Sequence, residues 1–257
     1  MTKRGLVQYH AARSHRRRKE RTRVDSVSQS LLAAQRTAEA LFEAVVRAGM
    51  IRPGTTEAEL SAQIHALAEA EFGLRRMWHK RIARSGPNTM LTFYDDPPDR
   101  RIGTDDIVYL DFGLVFEEWE ADLGRTYVVG RDPHKHRLTE DLAAAFRRGQ
   151  ALYRNTPDLT AGALYDFVAG LASEYGWEFG AATAGHLIGR FPHERPPDNA
   201  RRFSIRHGNE QRLREPDAGG AARHWILEVH FIDRTREIGG FFEQLLTVDA
   251  DASSAAT

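Results

Sequence analysis

The chain has 257 residues, 41% of them hydrophobic, enough to bury a sizeable core as one or two domains. Lys+Arg and Asp+Glu both number 36, so no global field recruits nucleic acid or membrane. Cysteine is absent, which excludes disulfide scaffolds, thiolate metal sites and cysteine nucleophiles. The first ten residues hold no long apolar run, and no stretch approaches the roughly 20 apolar residues of a membrane helix, so the cytoplasm is the default expectation. Arg13–Arg23 is locally very basic and is read, within residues 1–27, as a solvated arm. It lacks interleaved aromatics for base stacking, so nucleic acid is not an expected partner. From Ser28 to about Gly49 apolar residues recur at spacings of three and four (Leu31, Leu32, Ala38, Leu41, Phe42, Val45), which predicts a helix. Arg52–Thr56 reads as a turn, and Thr56 with Glu59 as a capping box for a second helix buried through Leu60, Ile64, Leu67 and Ala68. Helices are also expected around Asp141–Tyr153 and Ala161–Tyr175, between β-rich segments near 107–130 and 224–248. The small, polar tail 249–257 reads as frayed.

The chemistry concentrates in the two β segments. Ile107–Gly130 reads as an antiparallel hairpin turning near Phe116-Glu117, a register that sets Asp111 opposite Asp122. In the second segment Asp233–Glu237 marks the turn, Gly239-Gly240 permits a bulge, and Glu228 falls opposite Glu243. Like charges facing each other across a strand pair destabilise it, so something positive should sit between them. A third element, Gly185-His186-Leu187-Ile188-Gly189 with His193 seven residues on, offers imidazoles beside glycines that let backbone approach closely. Four carboxylates balance two divalent ions better than one, with His186 as a neutral fifth ligand. Calcium rarely takes imidazole, whereas manganese, cobalt, iron and zinc all tolerate such ligands.

These residues resemble the pita-bread metallopeptidases: methionine aminopeptidase, Xaa-Pro aminopeptidase, prolidase and the related creatinase. Asp111, Asp122, His186, Glu228 and Glu243 follow the family's ligand order and its first spacing. Ser85-Gly86-Pro87-Asn88, Asp106–Gly113 and His186–Pro196 are most similar to the prolidase-type branch, without its N-terminal domain. The resemblance implies an α/β pita-bread domain over 28–248, a curved antiparallel sheet with helices outside and metals on the concave face. It implies that Asp111 chelates one ion, Asp122 and Glu243 bridge both, and His186 and Glu228 complete the other. Glu228 would shuttle a proton and His193 would donate a hydrogen bond to the substrate or its oxyanion. The implied reaction is removal of an N-terminal residue from a peptide, Xaa-Pro included. A creatinase-like attack on a C–N bond of a small amide and a non-catalytic binding module are the competing readings, and a homodimer stays open. The chain departs from the pattern in three places. Thr89–Pro98 lacks the family's histidine, Phe241 stands where an arginine is common, and Val229 follows Glu228 in place of proline. His79, in Trp78-His79-Lys80-Arg81, either reaches the site instead or is an ordinary strand-edge residue.

Overall fold

The computed structural model describes residues 26–194 and 200–248, with the side chains of 200 and 201 left aside. The arm at Arg13–Arg23 and the tail 249–257 lie outside the described residues. Helix α1 covers residues 26–47 and α2 covers Glu57–Glu71. The capping box forms as the sequence predicts: Thr56 accepts from the Glu59 amide and the Glu59 carboxylate accepts from Thr56 N–H. Short strands β1 (Leu74–Met77) and β2 (Ile82–Ser85) follow, then the hairpin β3 (Asp106–Phe116) and β4 (Trp119–Val129). The second half repeats that order with α3 (Pro133–Asn155), α4 (Ala161–Tyr175), short β5 (Glu178–Phe179) and β6 (Leu187–Ile188), then the hairpin β7 (His224–Asp233) and β8 (Ile238–Leu245).

Every strand pairs antiparallel, in the order β1-β3-β4-β8-β7-β5, with β2 also on β3 and β6 also on β7. The alternation of strand side chains assigns the two faces. In the first hairpin Leu110, Phe112, Leu114, Ala121 and Leu123 join one apolar cluster with Leu41, Leu60 and Ile64 of α1 and α2. In the second, Trp225, Leu227, Val229 and Phe231 pack against Leu142, Phe146 and Leu164 of α3 and α4. The helices thus cover the residues that alternate with the four acids, and Asp111, Asp122, Glu228 and Glu243 project from the opposite face. The two hairpins meet at β4 and β8, where Gly124 pairs with Glu243. Side chains supply much of the remaining bonding there. Thr126 Oγ1 donates to the Phe241 carbonyl (2.8 Å) and accepts from its N–H (2.7 Å), and the Arg125 guanidinium donates to the Glu243 carbonyl (2.7 Å).

The expected registers fare differently. Glu228 pairs directly with Glu243, as predicted. Asp111 instead pairs with Gly124, and Asp122 with Gly113. The turn is Glu117-Glu118 and not Phe116-Glu117, with Glu117 at φ 54° in the left-handed region. A shift of two residues keeps both aspartates on the same face but sets them diagonally, each opposite a glycine, which relieves the direct confrontation of like charges. Gly239-Gly240 makes no bulge, since the ladder runs unbroken from Ile226↔Leu245 to Asp233↔Ile238. These glycines serve close packing: a Cβ at Gly239 would overlap the Thr89 carbonyl, and one at Gly240 would come within 2.7 Å of Leu142. Helix α3 begins eight residues before the expected Asp141, because Asp132 caps the His134 amide and Pro133 suits the first turn. Strands β1, β2, β5 and β6 were not anticipated; they are short, and β1 is half arginine.

Candidate metal centre

The segment Ser85–Asn88 is pinned by a buried acid of α2. Glu57 accepts from Ser85 N (2.5 Å), Ser85 Oγ (2.8 Å) and Asn88 Nδ2 (2.9 Å). Thr89 carries the link onward, accepting from buried His230 Nε2 at its carbonyl (2.9 Å) and from Gly239 N at its hydroxyl (2.7 Å). The segment before His186 is pressed onto β7 because Gly185, at φ 135°, has no Cβ to strike the Ile226 carbonyl. Backbone bonds from Ile226 N to His186 O (2.9 Å) and from Glu228 N to Ala184 O (3.0 Å) then fix His186 over the hairpin acids.

The four carboxylates and two histidines converge around Asp122. His186 Nε2 lies 3.2 Å from Asp122 Oδ2, 3.6 Å from Glu228 Oε1 and 3.9 Å from Glu243 Oε1. On the other side His79 Nε2 lies 3.0 Å from Asp122 Oδ1 and 3.5 Å from Asp111 Oδ1. Two donor groups result, His79–Asp111–Asp122 and Asp122–His186–Glu243, each with ligand atoms within 4.8 Å of one another and sharing Asp122. Asp111, Asp122 and Glu243 are buried, and Asp111 Oδ1 and Glu243 Oε2 have no hydrogen-bond partner. Two buried, unpartnered carboxylate oxygens are costly unless a cation completes them, and an oxygen-and-imidazole donor set suits a borderline divalent ion. The residues present therefore fit a metal centre.

The electrostatics point the same way. Burial pushes the Asp111 carboxyl up to about 7, with Asp122 and Glu228 adding to the rise against the pull of His79. Burial, then Asp122, Asp111 and Glu228, raise Glu243 well above the usual carboxylate range, and burial raises Glu228. Asp122 stays below its ordinary value although burial opposes this, because both imidazoles lie against its oxygens. Those carboxylates lift His79 to about 10 and His186 to about 9, again against burial. Without metal the cluster holds itself together with protons. Asp111, raised, contributes stability below the unfolded carboxylate range and loses it as pH climbs toward 7. The two histidines, also raised, lose theirs as pH climbs through 9 and 10. Depressed Asp122 contributes stability that is present above its unfolded value and is lost only as pH falls well into acid. Metal binding needs deprotonated ligands and strengthens over the same interval. The gap in melting temperature between metal-loaded and metal-stripped protein should therefore widen from pH 6 to pH 8.5. At 100-fold excess over Kd a ligand adds about 2.7 kcal/mol, which for a domain this size is roughly 5–10 °C. Differential scanning fluorimetry with and without chelator checks this, and a gap that narrows with pH counts against a metal centre.

His193 joins neither donor group. Its Nδ1 lies 2.8 Å from Oε2 of Glu120, a buried acid that also accepts from the His193 and Gly189 amides at 3.1 Å each. A carboxylate only accepts, so Nδ1 carries a hydrogen and a neutral His193 presents an acceptor, Nε2, to the cavity. The donation to an oxyanion expected of His193 therefore needs the imidazolium, for which Glu120 is the counter-charge. Sequence reasoning missed Glu120. Its position two residues before Asp122, on the same strand face, was the available signal. It also missed Trp78, whose ring stands edge-on to His79, His186 and His193 at 4.5, 5.3 and 5.5 Å. His79 itself lies in the centre, not at a strand edge.

Residues 29–218 match the family model for metallopeptidase family M24. The chain belongs to that family. Its M24 relatives include the Xaa-Pro dipeptidase of Pyrococcus horikoshii, 27% identical over 147 residues, which are 57% of this chain and 41% of that protein. The corresponding Pyrococcus furiosus protein gives the same figures. The chain thus spans about two-fifths of the length of these curated relatives. Among solved structures, a Xaa-Pro dipeptidase from Bacillus anthracis superposes with a TM-score of 0.70 at 25% identity, covering 90% of this chain and 61% of that one. A Thermotoga maritima X-Pro aminopeptidase shares the fold, with a TM-score of 0.69 at 20% identity, 88% of this chain and 62% of that one covered. The antiparallel sheet with external helices is accordingly the pita-bread fold of M24 peptidases, on the prolidase-like side of the family.

Proposed function

We propose that this M24 protein is a metal-dependent peptidase that removes the N-terminal residue of a peptide, Xaa-Pro sequences included. The observation that carries the reading is the pair of donor groups sharing Asp122 around buried, unpartnered carboxylate oxygens. Asp111, Asp122 and Glu243 would hold one divalent ion, and Asp122, His186, Glu228 and Glu243 the other, with Asp122 and Glu243 common to both. Manganese, cobalt, iron and zinc all accept this donor set. Such ions polarise a scissile carbonyl and make water nucleophilic at neutral pH. Glu228 is the acid of the four with the most exposed side chain, 17%, and so is placed to take and return a proton at the cavity. His193, turned by Glu120, would face the substrate from outside the donor set. No helix among the described residues is long and apolar enough to cross a membrane.

The cavity over the centre, about 560 Å³, narrows the substrate. Its described lining is aromatic and acidic, including Trp78, Phe93, Tyr94 and Phe241, and contains no lysine or arginine. A dipeptide's free carboxylate would meet no lysine or arginine among the described lining residues, whereas an amide or a continuing chain needs none. Bonds to charged groups are worth about 1.5–3 kcal/mol, so a missing partner costs roughly ten- to a hundredfold. Metal-loaded protein given Ala-Pro, Ala-Pro-amide, Ala-Pro-Ala and a small neutral amide should release alanine from the two extended peptides with kcat/KM at least about tenfold above the free dipeptide. Turnover confined to the free dipeptide would contradict the cavity argument. Turnover of the small amide alone would favour creatinase-like chemistry, and turnover of none would sink the peptidase reading.

A further inference from the structure

Asp122 meets two imidazoles with matching geometry. His186 Nε2 approaches one of its oxygens at 3.2 Å and His79 Nε2 the other at 3.0 Å. Each ring is held from behind by the carbonyl of the next residue: His79 Nδ1 lies 2.6 Å from Lys80 O, and His186 Nδ1 2.7 Å from Leu187 O. A carbonyl only accepts, so in both rings Nδ1 bears the hydrogen and Nε2 faces the acids. A backbone carbonyl fixing one ring nitrogen so that the other can ligate is the usual support of metal-binding histidines.

The spacing around His79 is that of a coordination shell. Bonds of about 2.0–2.2 Å to nitrogen and oxygen put neighbouring donors about 3.0–3.5 Å apart. His79 Nε2 is 3.0 Å from Asp122 Oδ1 and 3.5 Å from Asp111 Oδ1. That same Asp111 oxygen is buried and has no hydrogen-bond partner. A second observation is independent of the acids: at Gly113, the residue paired with Asp122, a Cβ would overlap the His79 ring. The imidazole enters because that position has no side chain. Trp78 at 4.5 Å and Phe93 at 5.5 Å then hold it edge-on.

We propose that His79 is a sixth ligand, binding the ion shared by Asp111 and Asp122 as His186 binds its neighbour. This rests on reading the cluster as a two-ion centre. Each ion then has one imidazole, which draws the Asp111 side away from magnesium-like selectivity toward borderline metals.

The test uses the full chain titrated with cobalt(II), with bound metal counted by mass spectrometry and imidazoles per cobalt counted by X-ray absorption. Wild type should hold two cobalt ions with about one imidazole per ion. His79→Gln should keep one ion and bind the second at least about 10- to 100-fold more weakly, a range already typical for removing groups that merely support a ligand. Gly113→Ala, which keeps every donor but crowds the ring, should do the same. Should both variants unfold, the imidazole count of the wild type decides. Two ions bound equally well by wild type and His79→Gln, with about half an imidazole per cobalt in wild type, would overturn the assignment alone. So would a single ion in wild type and two in His79→Gln, because His79 would then fill an ion's place as imidazolium. A wild type that takes up no cobalt would overturn the two-ion reading and this proposal together.

Discussion

Glu243→Gln should abolish peptide hydrolysis while leaving the chain folded. Glu243 is 2% exposed, sits directly opposite Glu228 and belongs to the same donor group as Asp122 and His186. The amide preserves shape but removes one charge and one acceptor oxygen from a place where Oε2 already lacks a partner. A centre that depends on four carboxylates to balance two divalent ions then carries excess positive charge. The advantage at stake is large, since metal ligation lowers the pKa of water from about 15.7 to about 7. We expect kcat to fall by at least about 1,000-fold, comparable to or larger than the loss of one oxyanion donor. Asp122→Asn should behave alike, as Asp122 is common to both donor groups. Metal-stripped Glu243→Gln should melt no lower than stripped wild type, because the substitution removes a carboxylate whose ionised form burial already disfavours. Near-full turnover by either variant with bound metal would show that the centre is not the reaction site.

The second large effect separates the two histidines of the Gly185–His193 stretch. His186→Ala should lose metal first, because its Nε2 faces Asp122, Glu228 and Glu243. His193→Ala should bind metal as wild type does and turn over about 100- to 1,000-fold more slowly, the usual loss for one donor to a developing oxyanion. Because Glu120 fixes Nδ1, donation by His193 requires the imidazolium. Glu120→Gln should then reproduce most of the loss without touching the metal. Titration calorimetry beside steady-state kinetics distinguishes these cases. If His193→Ala weakens metal binding as much as His186→Ala, the division of roles is wrong. If it is destabilised but fully active, His193 is a structural residue.

What could be read in the sequence was what period-two alternation and turn chemistry encode. The Glu228–Glu243 register was legible because Asp233–Glu237 is an unbroken polar run between apolar strands. The Asp111–Asp122 register was misplaced by two residues because Glu117-Glu118 carries no glycine or asparagine to mark a tight turn. The face survived the error because a slip of two preserves parity. Contacts between distant segments were not legible. Glu120 and His193 are 73 residues apart, and nothing local to either announces the bond. The placement of His79, in the bend between β1 and β2, likewise depends on Gly113 of β3, 34 positions later. The five donors assigned by order and spacing do come together, while the residues that orient and crowd them emerged only from the packing.

The junction of β4 and β8 has a consequence for how the molecule comes apart. Asp111 and Asp122 belong to the first hairpin; His186, Glu228 and Glu243 belong to the second half, up to 132 positions away along the chain. Between the hairpins runs a seam with a single paired residue, Gly124 against Glu243, otherwise stitched by Arg125 and Thr126. An ion held from both sides would therefore act as a rivet across that seam. Each half has its own helices and main apolar cluster, and smaller clusters cross the line, joining Leu31 to Ile188, Ile226 and Leu245, and Ile82 and Tyr109 to Phe241. The donor cluster therefore exists only in a chain whose two halves have docked.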